Sequence, residues 1–100
     1  MLFQRNKDAI KLTISAAQKA QTLVNALRKN NPENEAFEQA GILDGQLINT
    51  DYIDHNERGL ALEHLFYVIY ESEINFPEEE LEQLHEIAVT KNIDIPYSKK

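Results

Sequence analysis

Apolar positions recur along nearly the whole chain with a period close to that of the α-helix, the spacing of helices that each bury one stripe. Over residues 5–30, Ile10, Ile14, Ala17, Gln21 and Val24 fall on one such stripe, and Ala20, Leu23 and Leu27 widen it. Arg28 and Lys29 suit the negative end of that helix dipole, and Asn30-Asn31-Pro32 stops the helix. Pro32 then suits the first turn of a short helix, with Ala36, Phe37 and Ala40 on its apolar face and Gly41 as its C-terminal cap. Beyond the Asp44-Gly45 turn, residues 46–56 predict a third helix with Leu47, Ile48 and Tyr52 facing inward. Its start falls near Gln46, or later if Asn49 or Thr50 is the cap.

Asn56-Glu57-Arg58-Gly59 reads as a tight connection. The strongest helical pattern follows over residues 60–72. Leu62, Leu65, Phe66 and Ile69 form its core stripe, extended by Ala61 and Val68, while Glu63, Tyr67 and Glu71 line up on another face. Asn75-Phe76-Pro77-Glu78 has the form of a capping box that opens a last helix, with Leu81, Leu84 and Ala88 inward and Ile87 beside them. Asn92 ends that helix, and residues 93–100 form a short tail in which Pro96 excludes helix. Only Ile93-Asp94-Ile95 alternates, which is too short for a sheet. The pattern predicts an all-α fold: one domain over residues 1–100, a compact bundle of four to five helices with short loops.

Composition narrows the class. With 42% apolar residues, the 100-residue chain holds one modest core. The absence of Cys removes disulfides, thiol catalysis and Cys-based zinc sites, and favours a reducing compartment. The sequence has no apolar run long enough for a transmembrane helix, and Met1-Leu2-Phe3-Gln4-Arg5 is not followed by the apolar stretch of a signal peptide. The expectation is a soluble, cytoplasmic protein with no membrane partner.

Charge adds more. Residues 32–86 carry fifteen Asp/Glu against a single Arg, Arg58, a balance of −14. Residues 1–31 balance at +5 and residues 87–100 at +2, so the net −7 hides a strong segregation. A one-signed surface of this size repels phosphate and attracts cationic proteins. Arg5, Lys7, Lys11, Lys19, Arg28 and Lys29 give the first helix a basic character, but that footprint is too weak to imply direct nucleic-acid binding.

Catalytic and cofactor chemistry finds little purchase. Gly41, Gly45 and Gly59 are isolated, so no phosphate-cradling loop exists, and Ser15, Ser72 and Ser98 lie in no nucleophile-elbow context. Asp51 and His55 are i, i+4 neighbours that can present two metal ligands, but a solvated Asp–His pair at a helix end is the plainer reading. His64 and His85 read as boundary residues. The carboxylate pairs Asp51–Asp54, Glu78–Glu82 and Glu82–Glu86 read as solvated acidic faces, because nothing places one member in an apolar pocket. No catalytic residue, cofactor or metal is expected. Tyr67, flanked by Glu63 and Glu71, reads equally as an interface hot spot or as a core-edge tyrosine, whereas Tyr52 and Tyr70 read as core edge.

The stretch Asp51-Tyr52-Ile53-Asp54-His55-Asn56-Glu57-Arg58-Gly59-Leu60-Ala61-Leu62-Glu63-His64-Leu65, continuing to Tyr70-Glu71, resembles the MafI family of immunity proteins. Those small helical bacterial proteins carry a similar helix–turn–helix with a GE.GLALE core ending in an aromatic–Glu pair; Asn56 stands here where that core begins with Gly. The resemblance implies a non-enzymatic protein that protects the producing cell from a cognate polymorphic toxin of the contact-dependent inhibition type. Such toxin domains are often nucleases, some of them EndoU-type RNases.

That implication meets the charge pattern. A nuclease holds phosphates with Lys and Arg, so its cleft is cationic, and an acidic face both complements the cleft and raises association rates toward about 10⁸ M⁻¹s⁻¹. The expected toxin-binding residues are Asp51, Asp54, Glu57, Glu63, Tyr67, Glu71 and Glu73, with Glu78, Glu79 and Glu82 as a second patch. The partner is expected to be a basic nuclease domain, bound by a monomer or weak dimer. The competing expectations are an acidic helical adaptor or nucleic-acid mimic acting on another basic protein, and a small enzyme built around His55.

Overall fold

A computed structural model describes the backbone of residues 2–95 and the side chains of residues 8–95. Four helices carry the described chain: α1 (Leu2–Asn30), α2 (Gly45–Asp54), α3 (Arg58–Ser72) and α4 (Glu78–Thr90), with a 3-10 turn at Glu35–Glu38. The expected all-α bundle is what these residues form. α3 is its centre. Ala61, Leu62, Leu65, Phe66, Val68 and Ile69 are all buried, as their periodicity predicts. α1, α2 and α3 pack on one another, and α4 closes the bundle against α1 and α3 through the buried Leu84 and Ala88.

The buried face of α1 differs from the expected one. Thr13, Ala16, Ala17, Ala20 and Val24 face the core, while Ile14 is 39% exposed. Small side chains let α1 approach its neighbours closely, and the Thr13 hydroxyl donates to the Ala9 carbonyl at 2.8 Å, so a polar residue is buried with its hydrogen bond met. Gln21 is half-buried and reaches sideways: its Nε2 donates to the Leu43 carbonyl at 2.8 Å and its Oε1 accepts from the Gln46 N–H at 2.9 Å. That second bond satisfies a first-turn amide of α2, which no local side chain caps, so neither Asn49 nor Thr50 serves as the cap.

The helix expected from Pro32 is instead the 3-10 turn, capped by Asn34, whose Oδ1 accepts from the Ala36 N–H at 2.9 Å. In α2, Leu47 is 72% exposed rather than inward, and Asn49 takes the inward position. Arg58 and Gly59 belong to the first turn of α3, which shortens the connection expected there.

Asn56 and Asn92 both adopt the left-handed conformation, with φ of 61° and 56°. At each, two backbone bonds close the preceding helix: Asn56 N–H to Ile53 O and Glu57 N–H to Tyr52 O, then Asn92 N–H to Val89 O and Ile93 N–H to Ala88 O. The capping box at Asn75 does not form. Ile74 and Phe76 turn inward through a γ-turn, with Phe76 N–H bonded to Ile74 O, which leaves Asn75 exposed and Pro77 at the cap position. Ile93 and Ile95 pack against the core with Asp94 exposed between them, while Pro96 lies outside the described residues.

Candidate protein-docking face

The inner side of α2 is set by Gly45 and Asn49, both buried. Gly45 leaves no room for more, since a Cβ there would sit 2.9 Å from Val68 Cγ2. Helical geometry then turns positions 47, 51 and 54 to solvent together, so Leu47 shares its face with Asp51 one turn on and Asp54 two turns on. Asp51 and Asp54 are exposed, and so is the leucine that precedes them on that face.

On α3 the outward face holds Leu60, 44% exposed, followed by Glu63, Tyr67 and Glu71 at successive helical turns. Tyr67 is half-buried. Its hydroxyl donates to the Ala40 carbonyl at 2.9 Å, and its ring lies 5.4 Å from that of His64. His64 bonds the Gly41 carbonyl at 3.0 Å, and Tyr52 lies 6.3 Å from it on the other side, so Tyr52, His64 and Tyr67 form an aromatic row across the α2–α3 pair. Gly41 adopts φ of 87°, and a Cβ there would come within 2.7 Å of the His64 ring.

Glu57 and Glu73 are exposed at the two ends of α3, and Glu73 holds a left-handed φ of 56°. Glu78 and Glu79 stand exposed in the first turn of α4, where the helix dipole favours them, and Glu82 follows one turn later. This second patch also carries an exposed apolar side chain, Val89, in a shallow cleft with Glu82, His85 and Glu86. Glu80 was not among the expected residues. It turns toward α1, where its Oε1 accepts from Lys19 Nζ at 2.6 Å, so one cation of the basic flank is already engaged.

The histidines have settled partners. His85 Nε2 lies 3.1 Å from the Tyr70 hydroxyl, and its ring lies 4.5 Å from that of Phe66. Exposed His55 has Nδ1 2.8 Å from the Asp51 carbonyl and 3.5 Å from the Asp51 carboxylate. That backbone hydrogen bond, and then the carboxylate charge, raise its pKa above the ordinary 6.5. Among the described residues, no group of three or more His, Cys, Asp or Glu is placed to hold a metal ion.

On this face, Leu47 departs from the inward position that its periodicity predicts. Its spacing to Asp51 and Asp54 carried the signal, since residues four and seven apart share a helix face. An exposed leucine among carboxylates can do two things for a protein contact. Burying it contributes about 1.5–3 kcal/mol, and the surrounding charge steers a basic partner toward it.

No family model, curated protein or solved structure matches this chain. Among the described residues, no helix is long and apolar enough to cross a membrane.

Proposed function

We propose that this chain is a cytoplasmic immunity protein, of the kind its helix–turn–helix resembles, that binds and neutralises a cognate secreted toxin of basic character, most simply a nuclease. The observation that carries the reading is the outer face of α2, where Leu47 stands 72% exposed one turn before Asp51 and two turns before Asp54. A solitary exposed leucine is unremarkable on a soluble protein, but one set within a segment of −14 joins an apolar contact to charge that complements a cationic surface. Among the described residues, Asp54, Glu57, Glu63 and Glu73 enter no salt bridge, which leaves their charge for a partner. The protein acts by binding rather than by catalysis. Leu47 supplies the apolar contact, the carboxylates of α2 and α3 occupy the toxin's phosphate-binding cations, and the Tyr52–His64–Tyr67 row offers ring faces to Lys or Arg.

The test is protection. Cells expressing the toxin domain encoded beside this chain should survive only when the chain is co-expressed, and the two proteins should co-purify. Protection that persists after Leu47→Lys with Asp51→Lys and Asp54→Lys would exclude this face. Binding to many unrelated basic proteins, with no protection against the neighbouring toxin, would favour the acidic adaptor or nucleic-acid mimic.

A further inference from the structure

Three exposed carboxylates gather at the C-terminal end of α2: Asp51 and Asp54 on its outer face, and Glu57 in the connection to α3. One titratable base stands among them. His55 caps α2, and its side chain is 69% exposed against 74% for that of Asp51. Its Nδ1 lies 2.8 Å from the Asp51 carbonyl and 3.5 Å from the Asp51 carboxylate. A carbonyl oxygen only accepts, so Nδ1 carries a hydrogen in both charge states and the titrating proton adds at Nε2.

Protonation therefore puts a cation on the acidic face, within ion-pair range of one of its carboxylates. The Asp51 backbone hydrogen bond and then the Asp51 charge favour that proton; desolvation opposes it, and Glu57 and Asp54 add to the first two. Arg58, the first residue of α3, stays charged throughout. A cation arriving from a partner meets the same carboxylates as the imidazolium and repels it, so it binds better when the ring is neutral. Because both side chains are exposed, solvent screening limits the effect to a few-fold change rather than a block.

We propose that His55 is a tethered competitor for the cations that dock on α2: its imidazolium engages Asp51 and weakens docking at low pH, and its neutral ring frees the face at higher pH. This inference rests on the reading of that face as a docking site for cations. The coupling is reciprocal, so a docked cation lowers the His55 midpoint.

The test uses the full chain and an N-acetylated, C-amidated hexa-arginine peptide, which has no group that titrates between about pH 6 and about pH 8.5. Amide NMR titration should show saturable shifts at Leu47, Asp51 and Asp54, with affinity weaker by about threefold or more at about pH 6 than at about pH 8.5. The His55 midpoint should fall when the peptide is bound. H55Q should bind at both pH values as the wild type binds at the higher one, and H55R should bind weakly at both. A pH dependence that H55Q reproduces, a His55 midpoint unmoved by the peptide, or shifts that spare α2 would overturn the proposal. Absence of protection against the toxin, with these peptide results intact, would remove the toxin reading and support the competition at His55.

Discussion

The side-chain amide of Asn49 donates to the main-chain carbonyl of Ala61 at 2.7 Å, across the α2–α3 seam, where the two residues are 1% and 0% exposed. This buried polar tie fixes the rotation of α2. With Asn49 held inward, Leu47, Asp51 and Asp54 must face out. Asn49→Ala should cost about 2 kcal/mol in urea unfolding followed by circular dichroism, from the lost hydrogen bond and the void left behind. Asn49→Asp should cost more, because it turns a buried carboxylate toward a carbonyl oxygen.

Close packing of Gly45 on Val68 gives a second check. Gly45→Ala drives a methyl to within 2.9 Å of a β-branched side chain with little rotamer freedom, so it should destabilise by about 1–3 kcal/mol despite alanine's better helix propensity. Adding Val68→Ala should make room for that methyl. The double mutant should then be more stable than the sum of the two single changes predicts.

These two ties show why part of the fold was legible and part was not. α3 is legible because Leu62, Leu65, Phe66 and Ile69 repeat at helical spacing and all of them are buried. The rotation of α2 is not legible in its hydropathy, because its inward positions are a glycine and an asparagine while its leucine faces solvent. The cap of α2 comes from Gln21, twenty-five residues away, so no local motif announces it. At the start of α4, the inward turn of Ile74 and Phe76 overrode the Asn75 capping pattern, since burying two large side chains outweighs one exposed cap. The acidic residues of the candidate face were legible as charge, but their apolar companion was not.

His55 predicts a pH dependence. Its pKa is raised in the folded protein, first by the hydrogen bond to the Asp51 carbonyl and then by the Asp51 carboxylate. The protonated ring therefore favours folding; this contribution is full below the ordinary pKa of 6.5 and is lost as pH rises through the folded value. NMR titration should place the His55 midpoint above 6.5, and Asp51→Asn should lower it while the backbone bond remains. His55→Gln should remove this contribution to the fall in stability above that pH.

Lys19 and Glu80 join α1 to α4 at 2.6 Å, but their side chains remain 41% and 38% exposed. Solvent screening limits such a pair, so Lys19→Gln should cost less than about 1 kcal/mol. The difference should shrink further at about 1 M salt, and a loss that does not respond to salt would point to packing of the lysine stem instead.

The most direct test of the proposed docking face is the association rate with the cognate toxin domain that the proposed function requires, measured by stopped flow at low and at about 1 M salt for the wild type, Leu47→Ala, and Asp51→Asn with Asp54→Asn. The account predicts fast capture that slows steeply with salt, a shallower salt slope in the double Asn variant, and faster dissociation by about tenfold or more in Leu47→Ala. Equal rates, salt slopes and dissociation across all three proteins would contradict it.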